Sequence, residues 1–255
     1  IWIPHAKALL NSETATSTLH NVQTLRGAKV RDAKAWASHL TQALRLWGDK
    51  AEVLLTSHHW PRFGNDVIRA HLSHQRDGYK FIHDQTVRRM NLGQTPDEIS
   101  EGLQLPSALR ADWAMRGYYG TVSHNAKAVY DRYMGWYDGV PVNLNRHPPV
   151  ERAKRMVAAM GGSKALHREA RIAFERGDYR WSAELAHNGV FADTSDTASR
   201  RLLADSYEQL GYQSESAIWR NIYLTGAREL RQGKPDGFPQ TGPNYLMAAT
   251  PLADF

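Results

Sequence analysis

The chain has 255 residues, 42% hydrophobic and 23% charged, enough for one large domain or two ordinary ones. It contains no cysteine, which excludes disulfides and thiolate metal sites, and no run approaches the roughly 18–20 apolar residues of a membrane-spanning helix. The formal charge of +6 admits nucleic acid, an acidic surface or an anionic substrate, but no basic block of five or more residues occurs and a solvated basic surface accounts for it.

Ile1-Trp2-Ile3-Pro4 opens the chain without Met and without a basic-then-apolar signal, so a piece of a longer protein is expected. Lys7–Leu10 reads as a short buried strand ending at Ser12-Glu13. The segment Thr18–Trp47 carries Val30, Ala33, Ala37, Leu40, Ala43, Leu44 and Trp47 near a 3.6 period and reads as helical, stopped by Gly48-Asp49. A second strand, Glu52–Thr56, leads to Ser57-His58-His59-Trp60-Pro61. Two adjacent strand ends thus deliver a carboxylate and an imidazole, a common way to assemble a metal site. Successive residues leaving a strand point to opposite sides, so only one of His58 and His59 can face it. Glu13 and His58 alone cannot hold a catalytic metal.

After Pro61 the pattern becomes nearly all helical. Asn65-Asp66 opens a long helix reaching about Met90, and Leu92-Gly93 stops it. Thr95-Pro96-Asp97-Glu98 is a strong start signal: a cap, Pro at the first helical position, then acids in the first turn. Further helices are expected from Pro106-Ser107, over Ser123–Trp136, and from Pro148-Pro149 to Gly161-Gly162. Ala170, Gly177 and Ala183 recur at Ala204, Gly211 and Ala217, each thirty-four residues on, the period of the tetratricopeptide repeat. Two copies are too few for a free-standing solenoid, so they read as helical hairpins, with each Gly in the turn. The Gly- and Pro-rich end reads as an irregular tail.

Three stretches carry a family resemblance. They are Glu13-Thr14-Ala15-Thr16-Ser17-Thr18-Leu19-His20-Asn21 with Thr24-Leu25-Arg26-Gly27-Ala28 and Val30-Arg31-Asp32; Ser57-His58-His59-Trp60-Pro61; and Arg116-Gly117-Tyr118-Tyr119-Gly120-Thr121-Val122-Ser123-His124-Asn125 with Tyr133-Met134-Gly135-Trp136-Tyr137-Asp138-Gly139. Long and in order, they resemble the alkyl sulfatase family of the metallo-β-lactamase superfamily. The resemblance implies a zinc-dependent hydrolase of long-chain alkyl sulfates such as dodecyl sulfate. The family's two zinc ions are held by an upstream His-x-His-x-Asp-His motif, two Glu residues and a late His. This chain has no such motif, and retains the counterparts of the second, bridging Glu at Glu13 and of the late His at His58. An upstream segment would have to supply the rest, and this chain alone should be inactive. The sterol-carrier-like domain that follows in the family has no match here.

The implied layout is an α/β segment over residues 1–90, the end of an αββα catalytic sandwich. A helical dimerisation domain with tetratricopeptide-like hairpins follows over 91–235, then an irregular tail over 236–255. A homodimer and a periplasmic or secreted location are implied as well. Arg26 is the candidate sulfate-binding cation, because guanidinium matches an oxyanion bidentately. His20, Tyr119 and His124 are candidate donors to a sulfate oxygen or a leaving alkoxide; which group acts as catalytic acid or base stays open. A different class of reading is a helical interaction module in which the His pair is structural. Nucleic-acid binding rests on the charge alone.

Overall fold

The computed structural model describes residues 1–234; the tail expected over 236–255 lies outside the described residues. The described chain divides into two compact units, one of residues 1–148 with Tyr212–Arg220, the other of Pro149–Gly211 with residues 221–234.

The first unit is built on a four-stranded sheet: β1 (Trp2–Ile3), β2 (Ala8–Ser12), β3 (Val53–Thr56) and β4 (Arg62–Phe63), in that spatial order. The central pair, β2 and β3, is parallel, with Leu9 opposite Leu54 and Ser12 opposite Thr56; the outer pairs are antiparallel. A parallel pair needs a crossover, and α1 (Ala33–Trp47) supplies it. Its start is set by Asp32, whose carboxylate accepts from the Ala35 N–H, and its Trp36, Ala37, Leu40 and Ala43 are buried at helical spacing. It packs along α2 (Asn65–Met90), which buries Ile68, Leu72, Tyr79 and Ile82. Each such fully buried aliphatic side chain contributes about 1.5–3 kcal/mol.

The helix expected from Thr18 thus begins only at Ala33. Residues 16–32 are irregular because their backbone is bonded elsewhere: Leu19 N donates to Arg116 O at 3.2 Å, Gly120 N to Leu19 O at 2.8 Å, and Arg31 N to Val22 O at 2.9 Å. The other starts fall close to expectation. A full capping box at Thr95 and Glu98 opens α3 (Pro96–Gly102), followed by α4 (Ser107–Arg110) and α5 (Val122–Met134). Ile99, Leu103, Leu109, Met115, Ala126 and Val129 join Leu9, Leu40, Leu54 and Leu72 in one core. Residue 90 is therefore not a boundary of packing. A single sheet, not the two of an αββα sandwich, is present among the described residues.

The second unit contains α6 (Pro149–Ala159), α7 (Ser163–Glu175), α8 (Tyr179–Ala192) and α9 (Thr197–Gln213), and takes in most of α10 (Ala217–Gln232). Its core joins Val157, Leu166, Ala170, Leu185, Leu202 and Leu203. A buried Ser182–Ser206 hydrogen bond of 2.9 Å links α8 to α9, and Ser206 donates to Leu202 O. Gly177 occupies the α7–α8 turn at φ +80°, as the repeat reading requires. Gly211 does not: it is buried inside α9, and the next turn falls at residues 214–216. The thirty-four-residue spacing matches helices but not turns, so the second hairpin is not a copy of the first.

Candidate functional site

The parallel pair sets the site. Ser12 and Thr56 are register partners at the ends of β2 and β3, so Glu13 and His58 leave the sheet side by side. Both exits are strained. Among the described residues only Lys7, Ser12 and His58 have positive φ without being glycine, Ser12 at 48° and His58 at 69°. Holding such residues there costs of order 1–3 kcal/mol each and needs surrounding structure to enforce it.

That structure is visible. His58 Nε2 donates to Glu13 Oε1 at 3.2 Å, and His20 Nε2 lies 3.5 Å from Glu13 Oε2. The three ligand atoms lie within 4.8 Å of one another, and this is the one group of three or more such donors among the described residues. The His58 bond and nearby charges hold the Glu13 carboxyl below its ordinary range, while burial lowers His20. His20 is 3% exposed. Its Nδ1–H donates to Asn21 O at 2.9 Å, which fixes the tautomer and leaves the Nε2 lone pair facing the carboxylate.

The loop that carries Glu13 and His20 is pinned from three helices. Trp36 of α1 donates through Nε1 to Thr14 O at 2.7 Å and stacks on Tyr79 of α2 at 4.6 Å. The Tyr79 hydroxyl accepts from His20 N at 2.9 Å, and His71 of α2 donates through Nε2 to Ala15 O at 2.8 Å. Asn125 of α5 takes Val22 N at 2.8 Å and gives to His20 O at 2.9 Å. Gly120 permits the close approach: a Cβ there would sit 2.5 Å from Asn21 N and from His20 C.

A cavity of about 420 Å³ opens beside the cluster, with His20, His58, Trp60, Trp113, Tyr118 and Tyr119 in its wall. Trp60 is 80% exposed and Trp113 62%, so the mouth is aromatic. Tyr119 stands against His20 with ring centres 4.8 Å apart. His59 lies in the same wall, with its ring 5.8 Å from Trp60.

Two candidates sit elsewhere. His124 is buried, donating through Nε2 to Gln23 O at 2.7 Å and accepting at Nδ1 from Trp219 Nε1–H at 3.0 Å. With both nitrogens committed, its geometry is that of a neutral strut, and burial lowers its pKa. Both ring nitrogens are thus engaged within the fold, and neither faces the cavity at Glu13 and His58. Arg26 is exposed on a turn, with no hydrogen bond or ion pair among the described residues. The cation beside Glu13 is instead Arg31, with Nη2 3.5 Å from Oε2. Its Nη1 also bonds Asn21 O, Asn21 Oδ1 and Thr24 Oγ1 at 3.0–3.4 Å. Sequence reasoning passed over Arg31 as a site residue; its place next to the cap Asp32 was the available signal.

Fold and site together define a mostly helical protein with a small mixed sheet, in which a carboxylate and two imidazoles meet at parallel strand ends above an aromatic cavity. The family model for alkyl sulfatase dimerisation matches residues 95–233, more than half of the chain, and the chain belongs to that family. It is 49% identical to the alkyl/aryl-sulfatase BDS1 of Saccharomyces cerevisiae over 92% of its length. It is 48% identical to a linear primary-alkylsulfatase of a Pseudomonas species over 91%. The solved structure of the stereoselective inverting sec-alkylsulfatase Pisa1 from Pseudomonas superposes with a TM-score of 0.90 at 47% identity, covering 92% of this chain and 37% of that one. The chain spans 36% of the yeast relative and 34% of the Pseudomonas one, about a third of each.

Proposed function

We propose that this chain is part of a zinc-dependent alkyl sulfatase that hydrolyses long-chain alkyl sulfate esters, dodecyl sulfate among them, to alcohol and sulfate. The observation that carries the reading is the convergence of Glu13 and His58 beside an aromatic-walled cavity, in a chain similar to alkylsulfatases along more than nine-tenths of its length. An amphiphilic ester needs both halves of that site.

The donors fit zinc. In the neutral His20 tautomer an acceptor nitrogen faces an acceptor oxygen at 3.5 Å, an arrangement that a cation relieves. Glu13 and His58 would hold zinc together with ligands from an upstream segment, and zinc bound there supplies Lewis acidity toward a sulfate oxygen. Trp60, Trp113 and Tyr118 offer apolar surface to the alkyl chain and exclude water from it. Arg26, exposed and without an ion pair among the described residues, is free to meet the sulfate charge. Tyr119 carries a hydroxyl into the same cavity and can donate to an ester oxygen.

The dimerisation family favours a homodimer built through the helical region. No helix among the described residues is long and apolar enough to cross a membrane. A periplasmic or secreted location belongs to this reading through the resemblance, although a yeast relative shows that the relatives extend beyond bacteria.

The test is zinc content in a protein that carries the upstream ligands as well. About two zinc ions per chain are expected, falling by one or both in Glu13→Ala and in His58→Ala. Unchanged zinc in either variant would refute the assignment.

A further inference from the structure

His20 lies outside the ligand set that the resemblance implies, yet it is the most deeply placed donor of the cluster. Its Nδ1–H is bound to Asn21 O at 2.9 Å, so Nε2 carries the free lone pair. This is the outer-shell arrangement that fixes ligating histidines, with one nitrogen on a carbonyl and the other turned to the ion. The spacing is also short enough for the three groups to share one ion. Metal–donor bonds of about 2.0–2.1 Å give donor–donor edges of about 3.4 Å. Each imidazole Nε2 lies about one such edge from a Glu13 oxygen, His58 at 3.2 Å from Oε1 and His20 at 3.5 Å from Oε2, and one ligand atom from each of the three residues lies within 4.8 Å of the others. The two imidazole rings have centres 6.5 Å apart.

We propose that His20 is a third protein donor to a divalent cation at Glu13 and His58, so that this chain carries a three-donor metal site without any upstream ligand. The inference deepens the zinc part of the reading above and does not depend on a sulfate ester being the substrate. The Arg31 guanidinium, 3.5 Å from Oε2, opposes the incoming charge and keeps the affinity below that of a closed four-ligand site. The solvent side of the cluster, where His58 is 64% exposed, leaves room for the water that completes four-coordination.

The experiment is calorimetric titration of zinc chloride into the metal-free 255-residue chain. About one zinc per chain is expected to bind. The variant His20→Asn keeps an N–H donor to Asn21 O but removes Nε2, and should weaken binding roughly tenfold or more, as should Glu13→Gln and His58→Asn. Arg152→Ala, at an exposed position in the second unit, should leave it unchanged. Thermal melts by circular dichroism establish that His20→Asn is folded. If it is not, long-range proton–nitrogen NMR on the unaltered chain decides, because zinc ligation shifts the His20 Nε2 resonance and a merely structural role does not. Absence of zinc uptake by the unaltered chain overturns the proposal. So does uptake that folded His20→Asn leaves intact, or a His20 Nε2 resonance that zinc does not move. In those last two cases Glu13 and His58 keep the roles proposed above, so the two readings fail separately.

Discussion

At the scale of single residues, the site separates groups that face the cavity from groups that hold it in shape. Arg26 stands outside the cavity wall, and its part in the proposed function is to meet the sulfate charge. Arg26→Ala should raise KM for alkyl sulfates at least tenfold while zinc content and melting temperature stay unchanged, since the side chain has no partner to lose among the described residues. A protein that unfolds instead would assign Arg26 a structural role. His124 belongs to the second kind. His124→Phe breaks its bonds to Gln23 O and Trp219 Nε1 and should cost about 1–3 kcal/mol in denaturant melts without altering zinc affinity. The meeting of Glu13 with His58 was legible in the sequence, because each follows an apolar strand. His124 was not, because its partners Gln23 and Trp219 lie 101 and 95 residues away and no local pattern records them.

At the scale of elements, the loop of residues 13–24 is shaped by its neighbours more than by its own sequence. Gly120→Ala would drive a Cβ into the His20–Asn21 peptide, where backbone cannot swing aside as a side-chain tip would. It should destabilise the first unit by about 2–4 kcal/mol and weaken any metal binding at Glu13 and His20, measured by urea melts and zinc titration. Asn125→Ala strands Val22 N and His20 O in the interior and should cost about 2–3 kcal/mol. These contacts explain which elements were legible. Caps and strands follow local rules, so Thr95, the start of α2 and the two parallel strands were readable. The late start of α1 was not, because the apolar spacing upstream of Asp32 was overridden by bonds to Arg116 and Gly120. The same limit applies to Gly211, whose identity as a turn residue rested on a spacing that the second helix pair does not keep.

At the scale of the whole molecule, pH couples to stability through buried histidines. Burial depresses His71 to about 4, and lowers His20 and His124 in the same direction. The unfolded chain, with His near 6.5, binds more protons than the folded one between those values. Stability is therefore fully present above about pH 6.5 and is lost as pH falls toward 4, by up to about 3 kcal/mol from His71 alone. Urea midpoints between pH 7 and pH 4.5 should fall accordingly; a flat profile would mean that His71 opens to solvent before the fold yields. The alkyl sulfatase family was legible from long motifs, and the helical region from its caps. Packing does not follow the start of the family's dimerisation region, since α3, α4 and α5 share a core with the sheet, a long-range arrangement that no local pattern records.

The proposed zinc centre for alkyl sulfate hydrolysis is tested most directly by sulfate release from dodecyl sulfate by a protein joining the upstream metal-ligand segment to this chain, with and without His58→Ala. The expected result is steady sulfate release that a chelator stops, zinc restores and His58→Ala abolishes. A zinc-replete protein that releases no sulfate from any long-chain alkyl ester, or one whose activity survives His58→Ala unchanged, would contradict it.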